Sequence, residues 1–149
     1  MKTPLLTFCL VILAAVSLRA GDTAAEKAFL DKYKTAFESN DKATLQSFLY
    51  TEGAHPMALE FYKMMVTEGA GGKLSKIELT DLSADDQKKA AGIQEGPGGQ
   101  KTRLPLKPTK KLKITVDTKT GESTSSSTSE SFIAENKGKF VIPVPASAK

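Results

Sequence analysis

Glu26 to Tyr50 reads EKAFLDKYKTAFESNDKATLQSFLY, and the spacing of its apolar residues decides the fold. Phe29, Leu30, Tyr33, Ala36 and Phe37 fall at i, i+1, i+4, i+7 and i+8, one face of an α-helix. Ser39-Asn40-Asp41 interrupts that stripe, which restarts at Leu45, Phe48 and Leu49. Asn40 or Asp41 caps the second helix, because a short side-chain oxygen accepts from backbone N–H groups that a first turn leaves unpaired. The stretch predicts two short amphipathic helices around a polar corner. The remainder of the chain must supply a surface for their aromatic face.

Downstream, Gly53 breaks the turn Thr51–His55, and Pro56 suits the first position of a third helix, where a missing N–H costs nothing. Ala58, Phe61, Tyr62, Met65 and Val66 keep helical spacing as far as Gly69-Ala70-Gly71-Gly72. From Lys73 the period changes, and KIELTDL fits a strand buried on one face. Ser83, with Asp86 three residues on, has the spacing of a capped start for the short helix SADDQKKAA. GIQEGPGGQ is a loop by composition, and Pro105 and Pro108 confine a strand at Thr102–Leu106 to an edge.

Leu112, Ile114 and Val116 alternate with lysine and threonine, giving the clearest strand. Asp117–Gly121 reads as a turn. ESTSSSTSES over Glu122–Ser131 reads as a flexible linker or a solvated strand, and its threonines and flanking strands favour the strand. Phe132-Ile133-Ala134 and Phe140–Val144 form a terminal hairpin around Asn136-Lys137-Gly138, and PASAK frays. The fold class is α+β: three N-terminal helices packed on an antiparallel sheet of about five strands.

AFLDKYKTAFESNDKATLQSFL, with its Asn-Asp corner, resembles the opening of nuclear transport factor 2-like (SnoaL-like, ketosteroid-isomerase-like) domains. The resemblance implies a strongly curved, cone-like sheet whose open mouth is closed by the helices. It also implies a cavity that takes a small apolar ligand or a protein partner, with Tyr33, Phe37 and Tyr62 as candidate lining residues. Family enzymes place an Asp, His or Tyr on the inner face of the cone. No Asp or His matches such a position, so no catalytic residue is carried over. Members also place strand structure between the second and third helices, and Tyr50–His55 is too short for a hairpin.

Residues 1–20 carry Lys2, an apolar run from Leu5 to Leu18 and a closing Ala20, the layout of a secretory signal peptide. Cleavage falls after Ala20 or, with Thr23 at −3, after Ala25. Only about 14 residues run continuously apolar, against the roughly 20 that a membrane-spanning helix needs. The expectation is therefore an exported protein, periplasmic or secreted, with no membrane span after cleavage. Residues 21–149 then form a single α+β domain with a short disordered C-terminal tail. Removing Lys2 and Arg19 leaves 19 of the 21 basic residues against 17 acidic ones, a formal charge of +2 instead of +4. Cys9, the one cysteine, lies in the leader, so the remainder has no disulfide or thiol-based metal site.

His55 is the one histidine. In a Gly-Ala-His-Pro turn with no nucleophile or second ligand at a supporting spacing, it reads as an exposed residue at the start of a helix. Lys101, Arg103, Lys107, Lys110, Lys111 and Lys113 form a basic block that no acid interrupts between Gly96 and Val116. They make a candidate anion-binding face, although lysines alternating along a strand also serve as its solvated, aggregation-resistant side. Without interleaved aromatics the block does not suit nucleic acid. The functional expectation is a non-catalytic binding domain without cofactor, with a homodimer as an admissible assembly. The alternatives are an isomerase or dehydratase on the same fold, and an envelope protein binding anionic groups through Lys101–Lys113.

Overall fold

The computed structural model describes residues 20–96 and 98–148. The leader read from residues 1–20 lies outside them except for Ala20. Helix α1 covers Ala20–Glu38 and α2 covers Lys42–Ser47, so the first helix begins earlier than Glu26. Asp41 caps α2 by accepting from the Thr44 N–H at 3.0 Å, while Asn40 takes a left-handed φ of 56° at the corner. α2 stops at Ser47 because the next residues have partners elsewhere. Leu49–Tyr50 forms strand β1, and Phe48 and Tyr50 carbonyls accept from the N–H groups of Ile142 and Val144 at 2.8 and 3.0 Å.

Helix α3, Pro56–Thr67, starts on Pro56. Strand β2 covers Leu74–Asp81, and helix α4 covers Ala84–Ala91 behind a full capping box between Ser83 and Asp86. β3 (Gln94–Glu95) and β4 (Lys101–Arg103) come next, then β5 (Pro108–Thr120), β6 (Ser123–Asn136), β7 (Lys139–Pro143) and β8 (Ala146–Ser147). Three expectations change here. The turn placed at Asp117–Gly121 is strand as far as Thr120, with Gly121 at φ 65° beginning the reversal. The edge strand placed at Thr102–Leu106 is Lys101–Arg103. As far as Ala148 the tail is held and does not fray: Ala146 and Ser147 pair with Arg103 and Thr102, and the Ala148 N–H donates to the Lys101 carbonyl at 2.9 Å.

The main sheet runs β1-β7-β6-β5-β2, with a small sheet β3-β4-β8 beside it. It is mixed and not wholly antiparallel, because β1 lies parallel to β7. The Ser-rich stretch is strand, paired with β5 from Ser123 onward. Register shifts between Leu74 and Lys76 and between Pro108 and Lys110 place bulges, which bend the strands that carry them. Lys137 and Gly138, both at positive φ, make the two-residue reversal between β6 and β7 whose twist matches the flanking strands.

The helical stripe closes on this sheet. Phe29, Tyr33, Phe37, Leu45 and Phe48 join Leu112, Ile114, Ile133 and Ile142 in one buried cluster. Phe29 meets Phe48 edge to face at 5.2 Å between centroids, and Tyr33 lies over Phe37 at 6.5 Å. Gly71 secures the return to β2. Its N–H donates to the Phe37 carbonyl at 2.7 Å at a φ of 93°, which residues with a Cβ rarely adopt. Glu38 ties the same end of α1 to β2, accepting from the Leu74 N–H at 3.2 Å.

Candidate functional site

The basic block separates into two groups. Lys110 pairs with Asp81 at 2.9 Å and with Glu26 of α1 at 3.2 Å. Lys111 pairs with Glu130 at 3.0 Å and Asp86 at 3.1 Å, and Lys113 with Glu130 at 3.1 Å. These contacts raise the pKa of Lys110, through Asp81 first and Glu26 next. They raise that of Lys111 through Glu130 first, and they lower that of Glu130 through Lys111 and then Lys113. Half of the candidate anion face is therefore occupied by the protein's own carboxylates, which β2, α4, β6 and α1 bring in from distant sequence.

Lys101, Arg103 and Lys107 are exposed and have no ion pair among the described residues. Arg103 and Lys107 border a cleft of about 800 Å³. α4 and the chain just before it supply one wall, with Leu82, Ala90 and Ala91; the chain after β4 supplies the other, with Leu104, Pro105 and Leu106. Pro105 and Pro108 remove N–H groups from this chain, and it leaves regular strand structure after Arg103 until Pro108 opens β5. Gln87 and Ser147 add polar groups to the lining, and among the described residues no lining residue is acidic. The volume falls in the range of small-molecule sites, which are mostly apolar with a few placed polar groups.

Two arrangements hold the walls in position. Asp86 caps α4 and pairs with Lys111 on β5, which fastens that helix to the sheet. β4 is held on both sides, by β3 and β8, and Thr102 is buried with its hydroxyl donating to the Gln94 carbonyl at 3.3 Å. Lys101 lies on this strand but is not among the residues lining the cleft.

The aromatic candidates stand elsewhere. Tyr33 and Phe37 are 2% and 0% exposed and fill the space between α1 and the sheet, and Tyr62 packs against the same cluster. None of them borders this cleft or three smaller ones, at Phe29–Phe48, Asp31–Thr44 and Lys88–Phe132. Burial pushes the Tyr33 phenol up to about 12 and raises Tyr62 as well. His55 is half-buried and not exposed, with its Nδ1 enclosed and without a hydrogen-bond partner among the described residues. Its backbone N–H donates to the Pro145 carbonyl at 2.9 Å. Among the described residues no three His, Cys, Asp or Glu side chains are grouped to hold a metal, and no helix is long and apolar enough to cross a membrane.

The elements define an α+β protein: N-terminal helices on a mixed five-stranded sheet with a small three-stranded sheet beside it. No protein-family model and no curated protein matches the chain. Solved structures similar to it include the helical cell shape determining protein Pgp2 from Campylobacter jejuni, at 14% identity and a TM-score of 0.44. That similarity covers 83% of this chain, which spans 40% of the Campylobacter protein. A designed protein of the nuclear transport factor 2-like type, Rd1NTF2_05 with substitutions, is similar at 13% identity and a TM-score of 0.39. There the similarity covers 86% of this chain and 98% of the other. Neither likeness carries a ligand or a residue role to this chain.

Leu104 and Leu106 escaped the sequence reading as site residues because their alternation between prolines also fits an edge strand. The signal that was present is the pair of cations flanking them, Arg103 and Lys107, with no acid nearby in sequence.

Proposed function

We propose that the chain is an exported binding module whose cleft between α4 and Arg103–Pro108 takes an amphipathic anion, an apolar chain or ring system ending in a carboxylate or phosphate. The observation that carries this reading is an apolar cleft of about 800 Å³ bordered, among the described residues, by two cations and no acid. A desolvated apolar wall binds the hydrocarbon part, at about 25 cal/mol per Å² removed from water. The guanidinium of Arg103 offers a planar fork to a carboxylate or phosphate, and Lys107 adds a point charge. This places the ligand outside the helix–sheet core, whose space Tyr33 and Phe37 occupy. Export rests on Lys2 and the Leu5–Leu18 run; mass spectrometry of the exported protein would find a new N-terminus between Gly21 and Glu26.

The binding claim is tested by comparing dodecanoate with an uncharged amphiphile of the same chain length, such as dodecyl maltoside, in displacing a fluorescent fatty acid. Preferential displacement by dodecanoate, weakening as salt rises, is the expected result. Equal displacement by both removes the role assigned to Arg103 and Lys107.

A further inference from the structure

One edge of β6 is open over most of its length. β5 covers one side of the strand from Ser123 onward, whereas β7 covers the other side only at Ala134, Glu135 and Asn136. Residues 123–131 thus present a row of backbone N–H and C=O groups with no ladder partner among the described residues on that side. Every side chain from Glu122 to Glu130 is exposed. Natural edges are guarded by lysine, proline, a bulge or an inward charge. Between Ser123 and Ser129 there is none of these. The open segment is also a palindrome, since ESTSSSTSE from Glu122 to Glu130 reads identically in both directions about Ser126.

We propose that this edge pairs with a second copy of the chain, β6 against β6, antiparallel about a two-fold axis through Ser126. A closed two-fold contact must be self-complementary, and in an antiparallel ladder each residue meets its mirror position. The palindrome makes every such meeting one of like with like. Thr124 faces the partner's Thr128, and cross-strand Thr–Thr pairs stabilise a ladder. Thr128 already lies 3.1 Å, hydroxyl to hydroxyl, from Thr115 across the existing ladder.

The ends decide whether charge opposes the contact. Glu122 comes to rest beside the partner's Glu130. That carboxylate is held by Lys111 and Lys113 at 3.0 and 3.1 Å. Asp86 shares Lys111, so Lys111 and Lys113 face three carboxylates once Glu122 arrives, and each end of the contact keeps one negative charge in excess for salt to screen. The lengths also agree. The partner's hairpin reversal at Gly121 ends opposite Ser131, short of Ala134, where β7 takes over the edge. β7 and the second copy therefore divide the edge without overlap.

Cysteine cross-linking tests the axis in a Cys9→Ser background, which leaves no other thiol in the chain. Directly opposed residues in an antiparallel pair have Cα atoms about 4.5–5.5 Å apart, within disulfide reach. Ser126→Cys should therefore form a covalent dimer on mild oxidation. Ser123→Cys should form no covalent dimer, because its counterpart lies six residues along the ladder, roughly 20 Å away. A second variant, Ser125→Lys/Ser127→Lys, sets like charges opposite one another. It should sediment as a monomer with an unchanged circular dichroism spectrum. Equal cross-linking at positions 123 and 126 would overturn the proposal, and so would monomeric sedimentation of the unsubstituted chain in the high-micromolar range.

Discussion

Lys111 and Asp86 form the ion pair that fastens α4 to the sheet, with Nζ 3.1 Å from Oδ2 and 18% and 14% of the two side chains exposed. The same carboxylate accepts from the Ser83 hydroxyl at 2.8 Å and from the Ser83 backbone N–H at 3.1 Å. One side chain thus starts the helix and sets its distance from β5. Because α4 is a wall of the cleft, the shape of the candidate site depends on that carboxylate being ionised.

Hydrogen bonds from the Ser83 hydroxyl, then from Lys111, hold the Asp86 carboxyl down to about 2 from its ordinary 3.8. A depressed folded pKa contributes stability above the unfolded value and loses it as pH falls through the folded one. The stabilisation from Asp86 should therefore be complete above about pH 4 and fade toward pH 2. Asp86→Asn is expected to lower the melting temperature at neutral pH and to flatten its dependence on pH across that window. Parallel pH profiles for the two proteins would show that Asp86 is not the group responsible.

Phe37 is 0% exposed at the centre of the helix–sheet core. Phe37→Ala removes a ring that neighbours cannot replace, and should cost about 3–5 kcal/mol of unfolding free energy. Denaturant unfolding reads this directly as a shift in midpoint at constant slope. An unshifted midpoint would mean that the aromatic stripe is not what closes the core.

Tyr33 gives a signature at the other end of the pH scale. Burial raises its phenol from 10.0 to about 12, so the unfolded chain ionises first. Stability linked to Tyr33 is whole below about pH 10 and lost as pH rises through about 12. Tyr33→Phe, which keeps the ring and removes the ionisable hydroxyl, should lose less stability than the parent over that interval. Matching alkaline losses in the two proteins would place the titration elsewhere.

The first helix was legible because Phe29, Tyr33 and Phe37 repeat at a period that only a helix satisfies. β6 was legible from its threonines, although nearly all of its Ser-rich half is exposed. β1 was not. A two-residue strand has no period, and its parallel partner, Ile142 opposite Leu49, lies far along the chain. The basic block was visible as a run, but its neutralisation was not, since Glu26, Asp81, Asp86 and Glu130 arrive only through tertiary packing. The cleft remained hidden for the same reason. Leu104 and Leu106 line it only because α4 stands opposite them, held by a contact between residues 86 and 111.

The central claim is that the cleft selects an anion through Arg103 and Lys107, and calorimetric titration of dodecanoate into the parent chain and into Arg103→Gln/Lys107→Gln tests it most directly. Both side chains are exposed, so the double variant should keep the parent's melting temperature. Loss of two charge-assisted contacts should weaken dodecanoate binding by about tenfold or more, since each 1.4 kcal/mol is a factor of ten. Binding of dodecyl maltoside should change little. Equal dodecanoate affinity in the two proteins, or no measurable binding to the parent, would contradict the account.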